Sequence, residues 1–176
     1  MTDIEVLKAL QPTGLNILAI DPGPAESGYV LWNPVEQKAV EFGKWANDDL
    51  IKIIDSVADP YILAIEKPAN MGNYVGDSIF DTCIWIGRFI ESSQVVNPIL
   101  VKRHEVKMHL CHQMKGVCDS VIRAAIIDRF GGKDKAVGVK AKPGVFYGMK
   151  ADVWQALAVA LVIQDRVEVE VEVKTL

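Results

Sequence analysis

Three acidic residues, Asp21, Glu66 and Asp152, each stand where an apolar run ends or begins. Asp21 closes the run Asn16-Ile17-Leu18-Ala19-Ile20 and leads into the turn-forming Pro22-Gly23-Pro24. Glu66 closes Tyr61-Ile62-Leu63-Ala64-Ile65 and precedes Lys67-Pro68. Asp152 opens the last apolar helical segment, Val153-Trp154-Gln155-Ala156-Leu157-Ala158. A strand that delivers a carboxylate to the edge of a core must find that charge a partner. Carboxylate oxygens are the ligands that hard divalent cations prefer. Two such ions roughly 3.5–4 Å apart serve phosphodiester hydrolysis by activating water on one side and stabilising the leaving oxygen on the other. Asp21, the central acid, suits a bridge between both ions, with Glu66 and Asp152 each serving one.

Each acid taken singly has a plain structural reading. Asp21 suits an Asx-type turn, Glu66 a salt bridge to Lys67 or another base, and Asp152 the favourable end of a helix dipole. Their joint placement at two strand ends and one helix start favours the metal site. Clustered carboxylates repel one another and hold protons more tightly, a cost that a structural role leaves unexplained.

The elements that must position these acids follow from local patterning. Strands are expected at 15–21, 28–34 and 38–45, joined by short turn-rich links as antiparallel hairpins. Asn47-Asp48-Asp49 offers an N-cap for a helix over 48–57. A strand at 61–66, a Gly/Asn/Pro-rich loop at 67–76, a helix at 78–93 and a strand at 95–101 come next. Helices over 103–112 and 119–130 precede a Gly- and Lys-rich stretch, 131–150, without clear periodicity. So long a loop inside a compact domain is usually functional or disordered. A final helix spans 151–165, and the alternating Val/Glu tail from 166 to 176 reads either as an edge strand or as a flexible tail. Three antiparallel strands followed by alternating helices and strands predict a mixed α/β sheet with helices on both faces. In the helix at 78–93, Ile79, Cys83, Ile86 and Ile90 share a spacing that suits the core or a dimer face.

The 176 residues fit one domain, and half of them are apolar. No run of about 18 uncharged apolar residues suggests a membrane span. The acidic N-terminus lacks the basic start of a signal peptide. Three cysteines without a Cys-x-x-Cys pair point to a reducing, cytoplasmic setting rather than a disulfide framework. The net charge of −4 hides an asymmetry. Residues 101–150 carry eleven Lys/Arg against four acids, whereas the rest of the chain carries eight against nineteen. Such segregation suits one basic face for a polyanion on an otherwise acidic body. His104, His109, Cys111, His112 and Cys118 have no familiar zinc-site spacing.

Three segments together resemble the catalytic blocks of RuvC-type Holliday junction resolvases, members of the ribonuclease H-like superfamily. They are Ile17-Leu18-Ala19-Ile20-Asp21-Pro22-Gly23, continuing to Ser27-Gly28-Tyr29, then Leu63-Ala64-Ile65-Glu66, and Lys150-Ala151-Asp152-Val153-Trp154-Gln155-Ala156-Leu157-Ala158. The resemblance spans about residues 15–164 and is nearest to phage-encoded members. It implies a five-stranded mixed sheet, three antiparallel strands then parallel ones, in a single domain. It also implies a Mg²⁺-dependent homodimer, with Mn²⁺ able to substitute, that nicks symmetric strands of a four-way DNA junction and leaves 5′-phosphate and 3′-hydroxyl ends. No nucleotide cofactor is implied.

On this resemblance Asp21, Glu66 and Asp152 match metal ligands. The usual fourth acid, one helical turn after the third, is replaced by Gln155, whose amide still offers a carbonyl oxygen. Lys107 matches a family lysine near the cleaved strand. A second family lysine is replaced at Ser120, leaving Arg123 as substitute. Where the family places an aromatic wedge this chain has Ala69, so Tyr74 or Phe80 takes that role. Lys102, Arg103, Lys133, Lys135, Lys140 and Lys142 are expected on DNA phosphates, an interaction that weakens steeply with salt. Lys150, two residues before Asp152, is expected either to orient the attacking water or stabilise the scissile phosphate, or else to serve general phosphate binding or plain solvation. Phe146 and Tyr147 either stack on unpaired bases or anchor their loop to the core.

Competing classes remain at this level. One is a less selective nuclease that trims flaps. Another is a junction-binding module that lost activity with its fourth acid. An actin-like ATPase also ends its first strand in Asp-x-Gly, but this chain lacks a duplicated lobe and a further Gly-rich nucleotide loop.

Overall fold

Period-two alternation in the two apolar strands organises the whole molecule. Ile17 and Ala19 of the first strand face one core while Leu18 and Ile20 face another, and Ile62/Ala64 and Leu63/Ile65 divide in the same way. Strands buried on both faces read as continuous apolar runs rather than polar–apolar alternation. The computed structural model describes residues 14–58, 60–69 and 76–174, with side chains as far as residue 167.

The elements run β1 (Asn16–Asp21), β2 (Glu26–Asn33), β3 (Lys38–Ala46), α1 (Asn47–Ser56), β4 (Tyr61–Lys67), α2 (Asp77–Ser93), β5 (Ile99–Lys102), α3 (Arg103–Cys111), α4 (Asp119–Arg129), α5 (Lys133–Ala136), β6 (Gly138–Val139), β7 (Lys142–Pro143) and α6 (Val153–Lys174). The main sheet has five strands in the order β3-β2-β1-β4-β5. β1 pairs antiparallel with β2, and β2 with β3, whereas β4 lies parallel to β1 and β5 parallel to β4. The expected mixed sheet is therefore the observed one. α1 and α2 cover one face around Leu50, Ile54, Ile86 and Phe89. α3, α4 and α6 cover the other.

α6 is the central helix. Every residue from Val153 to Gln164 is buried, so this stretch lacks a solvent face, as befits a helix enclosed on all sides. Trp32 of β2 donates its indole N–H to the Gln164 side-chain oxygen at 2.7 Å, which satisfies both polar groups inside the core. The far end of the buried segment is tied by Asp165. Its carboxylate accepts two hydrogen bonds from Arg129 of α4, at 2.6 and 2.7 Å, and lies 2.7 Å from His109 Nε2 of α3.

Several expectations need correction. The 166–176 segment is not an edge strand as far as Lys174, because α6 continues through it. Once a helix is nucleated, each added residue gains a backbone hydrogen bond at small entropic cost, and the Arg166–Glu105 pair at 2.7 Å secures the turn after the core. The alternation of valine and glutamate is overridden by that continuity. The 131–150 stretch is not structureless either. It holds α5 and the β6–β7 hairpin, and it is pinned by Ala136, Phe146 and Met149 in the core. Phe146 packs among Trp32, Phe130 and Trp154, so it anchors and does not stack on bases, while Tyr147 is exposed. β5 begins at Ile99 rather than 95. On α2, Ile86 is buried and Ile90 half-buried, whereas Ile79 and Cys83 are exposed. Of the His and Cys residues between 104 and 118, His109 is engaged with Asp165. Among the described residues no helix is long and apolar enough to cross a membrane.

The Asp165 junction carries a pH signature. Burial alone would raise its pKa, but the hydrogen bonds from Arg129 and His109 outweigh burial and bring it down to about 2. A carboxyl depressed in the folded state stabilises above its unfolded pKa of 3.8, and that contribution disappears as pH falls toward 2. Asp165→Asn should therefore melt lower than wild type at pH 6 and converge with it near pH 2. A melting series over that range, showing no convergence, would refute this account.

Candidate active site

The register of β1 and β4 builds the site. Ile20 pairs with Ile65 across the parallel ladder, so Asp21 and Glu66, the next residue on each strand, leave the sheet side by side. Alternation sends both toward the α6 face, because Ala19 and Ala64, two residues earlier, already belong to that core. Asp152 arrives through a close approach of backbones. Gly28 lies opposite Asp21 on β2, and a Cβ built on Gly28 would fall 2.6 Å from the Asp152 carbonyl carbon. Only glycine lets the start of α6 sit against the strand there. Ala151, just before Asp152, takes a left-handed backbone with φ 40°, a conformation that disfavours a residue with a Cβ and is often found where a functional side chain must be aimed.

The turn after Asp21 is locked from beneath. Ser27 donates its hydroxyl proton to Asn47 Oδ1 at 2.7 Å and accepts from the Gly23 N–H at 3.2 Å, while Asn47 Nδ2 donates to the Gly23 carbonyl at 3.0 Å. Both side chains are buried. Asn47 thus serves the Asp21 turn and not, as the sequence suggested, the cap of its own helix, whose N-cap is Ala46. Nothing in the local pattern reveals this, because the partners are 20 and 24 residues away.

Two cations hold two of the acids. Arg103, at the first turn of α3, donates to Glu66 Oε2 at 2.9 Å and also bonds Asp119 of α4. Lys44 of β3 places its ammonium 2.9 Å from Asp152 Oδ2 and 3.4 Å from Glu26 Oε2. Asp21 has neither kind of partner. Burial, then the Glu66 charge, push its pKa up to about 8, with Arg103 opposing and Asp152 and Asp119 adding to the rise. Burial also raises Glu66, against the pull of Arg103. One turn beyond Asp152, Gln155 is buried with its side-chain carbonyl oxygen lacking any hydrogen-bond partner. The available donors (three carboxylates and an orphaned amide oxygen) are all oxygen, the set a hard divalent cation takes. With Arg103 and Lys44 occupying two of the carboxylates, the described residues do not form a ready-made metal cluster.

The remaining candidates divide by position. Lys107 lowers the Glu66 pKa by its charge and so lies within electrostatic reach of the site. Arg103, expected on DNA, is instead engaged with Glu66 and Asp119. Arg123 stacks its guanidinium 4.9 Å over the Trp154 ring, beside the start of α6. Lys133, Lys135, Lys140, Lys142 and Lys150 are exposed. Lys102 is also exposed, and its backbone N–H donates to Glu105 at 3.0 Å. Tyr74 lies outside the described residues, and Phe80 is exposed in the first turn of α2. Lys44, Asn47 and Asp119 were missed. Lys44 sits on a strand with no chemical motif, and only the sheet register brings it to Asp152.

With this geometry in place, comparison with known proteins is informative at the level of fold. Neither a protein-family model nor a curated protein sequence matches this chain. Among solved structures, Thermus thermophilus RuvC in complex with a Holliday junction substrate is similar, with a TM-score of 0.54 at 14% identity, covering 84% of this chain and 91% of that one. A second Thermus thermophilus RuvC structure gives 0.54 at 13% identity, covering 86% and 96%. The yeast mitochondrial Holliday junction resolvase Ydc2 gives 0.52 at 10% identity, covering 93% and 88%. The fold is thus the mixed five-stranded, ribonuclease H-like sheet that these resolvase structures share.

Two outcomes test the site's construction. Gly28→Ala forces α6 away from β2 and should destabilise by about 1–3 kcal/mol, read as a lower melting temperature. Asp21→Asn should do the opposite in metal-free buffer. A carboxyl whose folded pKa is about 8 holds a proton that the unfolded chain, at 3.8, releases. Its contribution to stability is greatest below pH 4 and declines as pH rises through 8. Asparagine cannot ionise, so its melting temperature should exceed wild type increasingly between pH 5 and 9 in EDTA. An equal or lower value at pH 8 would contradict the crowding described here.

Proposed function

We propose that this protein is a metal-dependent, structure-selective DNA endonuclease that resolves four-way junctions by symmetric nicking. The observation that carries the reading is the convergence of Asp21, Glu66 and Asp152 at one end of a resolvase-like sheet; Gln155, whose buried side-chain oxygen has no partner, follows Asp152 by one helical turn. A structural carboxylate would be satisfied in the folded chain, whereas Asp21 is buried at a raised pKa among other acids. That crowding suits cation binding. The solved Holliday junction resolvases of the same fold favour branched DNA among phosphodiester substrates.

Asp21, Glu66, Asp152 and Gln155 hold Mg²⁺ in this reading, with Mn²⁺ as substitute. Bound there, the ions would activate water and stabilise the departing oxygen. The chain's own part is positional. The Ser27–Asn47–Gly23 network keeps Asp21 in place, and Arg103 fixes the rotamer of Glu66. Lys107, within electrostatic reach of Glu66, and Arg123, stacked on Trp154 near the start of α6, would neutralise the backbone of the cut strand. Lys150, Lys102 and the exposed lysines of the 133–142 segment extend that cationic track and bind phosphates without reading sequence. A four-way junction has two equivalent strands to cut, so two copies of the chain acting together would supply the paired nicks.

The test is cleavage of an end-labelled four-way junction and a matched linear duplex, with and without Mg²⁺. Paired nicks on the junction only should appear with wild type and fall at least 100-fold with Asp21→Asn, in line with losses on removing a group central to charge stabilisation. Cutting of both substrates would replace the proposal with a general nuclease. Tight junction binding without cutting in either Mg²⁺ or Mn²⁺ would leave a binding module. Asn47→Ala should weaken cleavage and also lower stability by about 1–3 kcal/mol, because the Ser27 hydroxyl and Gly23 carbonyl lose their buried partner.

A further inference from the structure

Lys44 is the one cation that the sheet register delivers to Asp152. It pairs with Gly28 across the β2–β3 ladder, the same glycine whose missing Cβ admits the start of α6. Its ammonium lies between Asp152, at 2.9 Å, and Glu26, at 3.4 Å. About 40% of each side chain in the Lys44–Asp152 pair is exposed, and exposed pairs of this kind contribute only about 0–1 kcal/mol. The contact is therefore easily exchanged. Lysine suits exchange, being a compact charge on a flexible stem, whereas the Arg103 guanidinium is forked between Glu66 and Asp119 and less exposed. An oxygen-seeking cation that approached the Asp152 carboxylate would therefore find it masked by Lys44.

We propose that Lys44 is a resident counter-ion of Asp152, displaced when a divalent cation takes that carboxylate and then available to bind a phosphate of the substrate strand. The inference rests on the metal-dependent reading above. Lys44 acts on the site as a positioning residue first and as a DNA contact second. The exchange leaves net charge at Asp152 compensated in both states: by the ammonium before the cation arrives and by the cation afterwards. It also means that the cation competes with a charge of its own sign, so the lysine weakens cation binding in the absence of DNA.

Mn²⁺ binding to the full chain without DNA, followed by electron paramagnetic resonance of the free ion, tests the first half. Lys44→Met keeps the stem and removes the charge, and should bind Mn²⁺ about three- to tenfold more tightly than wild type. Lys44→Arg, which keeps the charge, should stay within about twofold of wild type, on the same reasoning. Equal or weaker binding in Lys44→Met overturns the counter-ion role while leaving the metal site intact. Absence of Mn²⁺ binding in wild type and Lys44→Met alike overturns the metal-dependent reading and this inference with it. The second half is read from junction cleavage. Lys44→Met should raise KM more than it changes kcat, and the log–log salt dependence of KM should become shallower by about one. An unchanged salt slope overturns the phosphate contact.

Discussion

Everything at the site depends on the parallel pairing of β1 with β4. A parallel ladder sets equivalent residues side by side, and Ile20 opposite Ile65 makes Asp21 and Glu66 neighbours at the point where both strands leave the sheet. A slip of one residue would turn one carboxylate to the opposite face. The register is held by the two-sided burial of both strands, since Ile17, Leu18, Ala19, Ile20, Leu63, Ala64 and Ile65 are all nearly inaccessible. The core thus specifies the geometry of the candidate site.

That pairing creates an electrostatic problem, and much of the surrounding structure manages it. Arg103 and Lys44 each neutralise one acid, and Asp21 keeps a high proton affinity because it is buried and lies beside the Glu66 charge. Buried polar support is concentrated nearby: Ser27 and Asn47 are among the few fully buried polar side chains described, and both secure the Asp21 turn. Strain is present too, at Ala151.

The far end of the buried segment of α6 shows the contrasting solution. Asp165 is surrounded by Arg129 and His109 and is held well below the ordinary carboxylate range. Asp152 and Asp165 lie 13 residues apart on the chain, roughly 20 Å along a helix. One end of that segment is tied down by a satisfied charge, and the other presents an acid whose partner is exposed and exchangeable. The buried segment between them is apolar except for Gln155 and Gln164. Gln164 is bonded to Trp32, whereas the Gln155 oxygen is without a partner.

Apolar runs closed by acids were legible in the sequence because strand burial and strand ends are local properties. β1, β4 and the buried start of α6 emerged from hydropathy alone, whereas the order of antiparallel and then parallel strands came from the resemblance of the three acid-bearing segments to a known family. The three acids were legible as the ends of those local apolar runs. What surrounds them was not. Lys44 and Asn47 reach the site through pairing across β2 and β3, and Arg103 through the packing of α3 onto β4, all contacts between residues distant in the chain. The Val/Glu tail misled because its alternation is a strand signal that a helix already formed can override. The basic stretch misled because its order comes from Ala136, Phe146 and Met149 seated in a core built by other segments. Local pattern determined where the three acids stand in their strands and helix, and long-range register decided which charges face them.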